Sequence, residues 1–426
     1  MKDIRPAAPF RCTRTPLSFT VTRIARVFLI AAICFWPAGC GYFAHNDTLE
    51  IAFAGDIIMH IPVKLCAAGN NHVATPRGGS INNGGFDHLF ARISQRLSAS
   101  DLTVGNMEFP VSPPFASRPF YFNCYPDVVP AMKKAGFGLV SIANNHIIDQ
   151  GAAGFRDTLG YLEKYGMSSI GAGADEGSVR AGYVFEKHGI RVGFIAYTGV
   201  INSAFPAARD GIFLNNLYKK KNVLDDIAAI RQRCDYLVMV AHFGDEYTVR
   251  PNPADTALLR EYCDSGVDLV IGHHPHVLQP AETYTARDGR ACHIFYSLGN
   301  FISNQSGAVV DTALSYGNGI LSTRDSALVT LRLAKKKKAL KQRFSILPIM
   351  TVNEILTAPN GAWRRNIQTA AVADEIARVK QKLTNAATGE HATLEARLHE
   401  LESKYLTIPD LLLKNQPRES DDIQVE

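Results

Sequence analysis

Asp268-Leu-Val-Ile-Gly-His-His-Pro-His-Val-Leu-Gln279 is the stretch on which the interpretation of this chain turns. Leu269 to Ile271 is short and apolar, the composition of a buried parallel strand. Gly272 then carries the chain into three histidines within four positions, His273, His274 and His276. In an open α/β sheet, ligands bind at the C-terminal edge of the strands, and Pro275 stiffens this loop between two of the imidazoles. Two imidazoles two residues apart on such a loop have metal-ligand spacing. The same residues also read as a polar, solvated loop.

Upstream the pattern recurs. Leu49 to Ala54 reads as a strand that delivers Gly55 and Asp56 at its tip, with His60 four residues on. An aspartate in that place is a metal ligand or a helix N-cap. Asp101 to Glu108 brings Asn106 and Glu108 to the same edge, and the strand from Gly138 ends in Asn144, Asn145 and His146, with Asp149 just beyond. Arg191 to Thr198 is a further strand, and the strand from Asp235 delivers His242, followed by Glu246. Between these strands, Phe86 to Ser98, Val128 to Ala135, Phe155 to Tyr165, Val223 to Cys234 and Ala257 to Ser265 read as helices. The alternation predicts an α/β fold on a doubly covered, mostly parallel sheet, with every polar cluster at the same end of its strand.

Two connections stand out. Residues 61–88 hold Asn70-Asn71, Gly78-Gly79 and Asn82-Asn83-Gly84-Gly85 and read as one long loop over the presumed site. Pro110 to Pro126 is rich in proline and aromatics; its Phe115, Phe120, Tyr121 and Phe122 either line a cleft or pack on the domain. After His276 the pattern changes to strands without intervening helices, Cys292 to Phe301, Ala327 to Leu333 and Arg343 to Met350, with Lys335 to Lys338 as a solvated hairpin turn. Residues 351–426 read as a helical C-terminal extension, amphipathic from about 365 to 406, with Leu394, Leu398, Leu401 and Tyr405 at helical spacing.

Residues 1–40 have the three parts of a secretory signal. Arg23 and Arg26 precede an apolar run from Val27 to Trp36, then Pro37-Ala38-Gly39-Cys40. That run is too short to span a bilayer. The ending resembles a bacterial lipoprotein signal, in which Cys40 becomes the lipidated N-terminus and the membrane becomes a partner through that lipid; a plain signal or an uncleaved anchor is the alternative. Either way the body of the protein is expected outside the cytoplasm. The leader's six basic residues against Asp3 account for the whole formal charge of +5, so the basic balance implies no nucleic-acid partner. Beyond Cys40, the cysteines are Cys66, Cys124, Cys234, Cys263 and Cys292, an odd number without a Cys-x-x-Cys spacing. A thiolate zinc site is therefore not expected, at least one thiol stays unpaired within the chain, and the disulfide connectivity is unreadable.

Taken together, Gly55-Asp56, Gly105-Asn106-Met107-Glu108, Ala143-Asn144-Asn145-His146 with Asp149 and Gly151, His242-Phe243-Gly244 with Glu246-Tyr247, Gly272-His273-His274-Pro275-His276 and Tyr296-Ser297-Leu298-Gly299-Asn300-Phe301 resemble, in order, the motifs of the CapA-type poly-gamma-glutamate capsule-biosynthesis family. The resemblance covers about residues 48–350 and implies a four-layer α/β/β/α sandwich of the calcineurin-like metallophosphoesterase type, with metal at the sheets' C-terminal edge. It also implies a role in the bacterial cell envelope.

Carried over by position, Asp56, Glu108, Asn145, His242, His274 and His276 match places expected to hold metal, and His146 matches the histidine beside the attacked phosphate. His60, Asn106, Asn144, Asp149, Glu246, His273 and Asn300 are further candidates. Carboxylate, amide and imidazole ligands suit one or two divalent ions, Mn, Fe or Zn. The first strand departs from the phosphoesterase pattern in lacking an Asp-x-His pair, and Asn106-Met107-Glu108 stands where a bridging aspartate is expected. Two functions therefore stay open. One is a metal-dependent hydrolase acting on a phosphoester or an envelope polymer. The other is a non-catalytic, metal-containing component that binds or helps export an anionic polymer, with capsule-synthesis membrane proteins as partners.

Overall fold

In a computed structural model, residues 48–70, 82–206, 210–305, 315–316, 319–320, 322–336, 339–357, 361, 363–387, 389–413 and 423–425 are described. The leader and Cys40 lie outside them, as do residues 71–81 of the long loop and residues 337–338 of the lysine turn. Among the described residues no helix is long and apolar enough to cross a membrane.

The chain opens with β1 (Thr48–Ile57), α1 (Ile61–Gly69), the short α2 (Asp87–Phe90) and α3 (Ser94–Leu97), β2 (Leu102–Met107), α4 (Val128–Ala135), β3 (Phe137–Ser141), α5 (Gly151–Lys164) and β4 (Ser168–Ile170). Next come β5 (Ala172–Gly173), α6 (Glu176–Ala181), β6 (Tyr183–Lys187), β7 (Ile190–Thr198), β8 (Phe213–Leu214), α7 (Lys220–Arg231), β9 (Tyr236–His242), α8 (Pro253–Asp264) and β10 (Leu269–His273). The last part holds β11 (Leu278–Thr285), β12 (Ala291–Leu298), β13 (Asn300–Ile302), β14 (Ser315–Tyr316), β15 (Gly319–Ile320), β16 (Asp325–Lys336), β17 (Ala339–Thr357), β18 (Trp363–Ala371), α9 (Val372–Asn385), α10 (His391–Leu413) and β19 (Ile423–Val425).

These strands form two facing sheets. The first runs β18-β17-β16-β1-β2-β3-β4, parallel from β1 to β4, with β13 beside β1 and β19 beside β17; the second runs β11-β12-β10-β9-β7-β6, parallel across β12, β10, β9 and β7. Side-chain alternation shows why they face each other. Ile51 and Phe53 of β1 and Val104 of β2 meet Val192 and Phe194 of β7 and Val238 and Val240 of β9 in one core. The alternate residues Ala52 and Ala54 point instead to a core with α1, α4 and α5, and Leu237, Met239 and Ala241 to one with α7 and α8. Four layers result, helices outside and sheets inside, as the resemblance implies.

The single, doubly covered sheet suggested by strand–helix alternation is thus corrected. Each sheet carries its crossover helices on one face, because the chain changes sheet after β4 and the second sheet covers most of the other face, where only the C-terminal helices join it. Ile61–Gly69, expected as loop, is helical; Pro62 sits in its first turn, and Val63, Cys66 and Ala67 are buried. Phe86 to Ser98 is two short helices instead of one. The boundary drawn at residue 350 falls inside β17, and Trp363–Ala371, expected as helix, is an edge strand paired along its length with β17. The helices beyond it dock on the body, with Leu401, Ile408, Leu411 and Leu412 buried and Leu394, Leu398 and Tyr405 packed against the inter-sheet core. A disulfide joins Cys263 of α8 to Cys292 of β12, while Cys66, Cys124 and Cys234 are buried free thiols.

One buried ion pair fastens α10. Lys404 Nζ donates to Asp325 Oδ1 and Oδ2 at 2.8 and 3.1 Å, with Lys404 and Asp325 both buried. Lys404→Met would leave the Asp325 carboxylate enclosed without its cation. The expected loss is about 3–5 kcal/mol of unfolding free energy in a urea series. A loss below about 1 kcal/mol, the size of a surface pair, would show that the bridge is solvated.

Candidate metal centre

Asp56, Asn106, Asn145, His242, His273, His274 and His276 stand at or just beyond the C-terminal ends of β1, β2, β3, β9 and β10, so both sheets deliver them to one edge. Two glycines permit the approach. A Cβ on Gly55 would lie 2.1 Å from Gly299 O, and one on Gly272 1.9 Å from Tyr296 O. Past Gly272 the backbone enters the left-handed region at His274 (φ 98°) and again at His276 (φ 58°), on either side of Pro275. Such strain at non-glycine residues collects at functional sites, and here it turns the two imidazoles toward the acids.

Three groups of ligand atoms each lie within 4.8 Å of one another: Glu108 with His242 and His274, Asp56 with Glu108 and His276, and Glu246 with His274 and His276. Asn145 Oδ1 joins the first at 2.9 Å from His242 Nε2. Glu108 Oε1 is 3.8 Å from both His242 Nε2 and His276 Nε2, so Glu108 is shared by two groups, an arrangement suited to one ion or to a pair. Among the described residues, Glu108 Oε1 and His274 Nδ1 are buried without a hydrogen-bond partner. Leaving such atoms unsatisfied costs about 1–3 kcal/mol each, and carboxylate and imidazole atoms lacking partners in one ligand group fit a divalent metal.

The other candidates support this set. Asp56 Oδ1 accepts from Asn106 Nδ2 and His273 Nδ1, each at 2.8 Å, and its Oδ2 accepts from the His274 backbone N–H at 3.3 Å. His273 is thus placed behind Asp56. Asn300 Oδ1 lies 3.0 Å from His276 Nδ1, orienting that ring as outer partners do for metal-bound imidazoles. Asn144 Nδ2 donates to Asn106 Oδ1 and Met107 O, tying β3's tip to β2's. His60 accepts from Asn304 N–H at 3.1 Å and meets Phe122 edge-on; among the described residues it belongs to none of the three groups.

Burial sets the protonation states. The Glu108 carboxyl is pushed well above its ordinary range by burial first and then by Asp56, Glu246 and Asp149. Burial would also raise Asp56, but hydrogen bonds and charge from His273 and His276 outweigh it and hold Asp56 well below the usual range. Burial, then neighbouring imidazoles, lowers His242 strongly, His274 to about 3 and His60 to about 4. Neutral imidazole is the form that ligates. Because a cation must displace the proton on Glu108, affinity for Mn(II) is expected to rise about tenfold per pH unit while that carboxyl is protonated. Binding isotherms at stepped pH read this, and a pH-independent affinity would remove Glu108 from the set.

His146 stands beside this cluster, held differently. Its Nδ1 is 2.7 Å from Asp149 Oδ2, which also accepts the Phe122 N–H, and Phe122 stacks on its ring at 4.1 Å between centroids. Asn202, which sequence reasoning missed, spans the two parts of the site. Asn145 Nδ2 donates to its Oδ1 at 3.0 Å, and its Nδ2 is 3.2 Å from His146 Nδ1. The available signal was position: Asn202 follows β7, whose end lies at the same edge.

Fold and site together define an α/β/β/α sandwich with a buried carboxylate–imidazole centre at its strand ends. The model of the family described as "Bacterial capsule synthesis protein PGA_cap" matches residues 50–305, and the chain belongs to that family. It is similar to the PGA biosynthesis protein CapA of Bacillus subtilis, 30% identical over 321 residues that cover 74% of each chain. It is also similar to the capsule biosynthesis protein CapA of Bacillus anthracis, 30% identical over 297 residues, 68% of this chain and 64% of that one. Among solved structures, the sulfate thiohydrolase SoxB of Thermus thermophilus matches 72% of this chain and 57% of its own, at 13% identity and a TM-score of 0.39.

Proposed function

We propose that this chain is a metal-dependent hydrolase of the bacterial cell envelope, anchored by lipid on Cys40, that cleaves a phosphoester or an envelope polymer during capsule synthesis. The observation that carries this reading is the pair of buried atoms unpartnered among the described residues, Glu108 Oε1 and His274 Nδ1, set beside a histidine held by a carboxylate. Asp56, Glu108, Asn145, His242, His274 and His276 would hold the ion, with Glu246 at the outer margin. When bound, it supplies Lewis acidity and an acidified water.

The remaining work falls to the chain's own residues. With Nδ1–H donating to Asp149, the His146 Nε2 is the nitrogen left to hold or release a proton, and Phe122 keeps the ring from turning. Asn202 Oδ1 accepts from Asn145 Nδ2 and so orients that ligand's amide, while its Nδ2 only neighbours the His146 ring, whose Nδ1–H is already given to Asp149.

Metal analysis of the purified protein followed by a turnover assay on an aryl phosphate tests the reading. Bound metal with turnover supports it, and bound metal without turnover on phosphoesters or capsule polymer sinks it. The second outcome would favour a component that binds or helps export an anionic polymer. The departure from Asp-x-His favours that alternative: Ile58 stands where the histidine is expected, and it is fully buried in the core. Mass spectrometry of the mature N-terminus tests the anchor at Cys40.

A further inference from the structure

Ten large apolar side chains are exposed among the described residues, and all but Tyr218 and Leu406 fall on three segments. Ile61 and Leu65 lie one turn apart on the outer face of α1, 43% and 65% exposed. Residues 115–125 present Phe120 at 84% exposure, and the ends of β17 and β18 present Ile355 and Trp363 at 61% and 67%.

These segments are contiguous. Lys64 of α1 reaches beneath the 115–125 segment, donating to Ser117 Oγ at 2.6 Å and to Asn123 O at 2.9 Å. On the other side, Leu65 and Trp363 line one slot of about 370 Å³ together with Arg364 and Arg365. Arg364 Nη1 donates to Asn70 Oδ1 at 3.0 Å, closing that side against the end of α1. The rim adjoins the metal centre, since His60 directly precedes α1 and Phe122 stacks on His146.

Backbone hydrogen bonds define how it is presented. Arg118 and Tyr121 exchange two backbone hydrogen bonds of 3.0 Å, a tight hairpin with Phe120 at its tip in the left-handed region (φ 63°). Holding an apolar side chain outward at a strained backbone position has no folding benefit.

Charge selects the occupant. Residues 61–70 and 115–125 contain no Asp or Glu; of their two cations Arg118 is exposed, and Lys64 is buried beneath the hairpin. At the strand ends Arg364 and Arg365 flank Trp363, and the neighbouring Glu354 is paired with Arg378. Apolar tips including tryptophan, ringed by arginines, fit the boundary between acyl chains and anionic headgroups. Two copies of this face would set arginines against arginines.

We propose that the rim made by α1, the 115–125 hairpin and the ends of β17 and β18 docks on an anionic bilayer surface, so that the metal centre opens beside the lipid headgroups. This contact is separate from any N-terminal anchor and does not depend on hydrolysis.

The chain has two tryptophans, Trp36 and Trp363. Trp36→Phe in the full chain leaves Trp363 as the reporter. The protein is reconstituted into phosphatidylglycerol–phosphatidylcholine vesicles with and without bromine on the acyl chains. Docking at interfacial depth predicts a blue-shifted emission, quenched by brominated lipid and recovering as salt is raised. Arg364→Ala with Arg365→Ala is expected to lower the docked-to-undocked ratio roughly twenty-five-fold, about fivefold per arginine. A second reporter, Phe120→Trp in a Trp36→Phe, Trp363→Phe background, is expected to show the same quenching at the other end of the rim. Equal emission with and without bromine overturns the proposal, as does equal quenching in pure phosphatidylcholine. A blue shift that grows with protein concentration in detergent alone assigns the face to a second copy and also overturns it.

Discussion

Replacing His146 with alanine is expected to leave metal content at the wild-type level while lowering the hydrolytic rate by about 100-fold or more, the usual size of a general-acid contribution. The separation follows from where the ring is held. His146 Nδ1 is committed to Asp149 at 2.7 Å, its face is covered by Phe122, and His146 is absent from the three ligand groups found among the described residues. Glu108, His242, His274 and His276 reach each other without it.

Asp149→Asn sharpens the test. An amide can offer Nδ1 a donor as readily as an acceptor, so the tautomer that leaves Nε2 free is no longer enforced, and part of the same loss is expected with metal again retained. If metal disappears together with activity in His146→Ala, His146 is a ligand. If neither changes, the non-catalytic role takes the weight. Inductively coupled plasma mass spectrometry and single-turnover assays on the same preparations separate these outcomes.

The convergence of this site was legible because each contributor follows a short apolar run. Asp56, Asn106, Asn145, His242 and His274 sit at or near the tips of buried strands, and parallel strands bring their tips to one edge. What escaped had no such marker. Asn202 arrives on a connection after β7, and nothing local distinguishes it from an ordinary loop asparagine. The helix Ile61–Gly69 was hidden by the asparagines and glycines after it, although Pro62 in its first turn was a start signal.

Trp363–Ala371 was misread for a different reason. Its small residues, Thr369, Ala370 and Ala371, carry little period of their own, and pairing with β17 decides the conformation. Alternation of strand and helix likewise cannot say which sheet a strand joins. That depends on which face is already covered, a property of the assembled layers.

Replacing both His274 and His276 with alanine is expected to abolish metal binding and leave the fold intact. The two imidazoles appear in all three ligand groups, at least one in each, so the double variant dismantles every one. What remains is Asp56, Glu108, Asn145 and His242, an oxygen-rich remnant with one imidazole that holds borderline metals poorly. The fold survives because these side chains face the site at a strand edge and neither belongs to the apolar clusters that join the layers. Relief of left-handed strain does not follow, since alanine tolerates φ 98° and 58° no better than histidine does. Thermal unfolding in the presence of chelator should stay cooperative for the variant, at a midpoint lowered by the loss of His276 as a partner of Asp56 and Asn300, while added Mn(II) should raise the midpoint of the parent alone. Equal metal-dependent stabilisation of the two proteins would show that the ion is held elsewhere and that the ligand set is wrong.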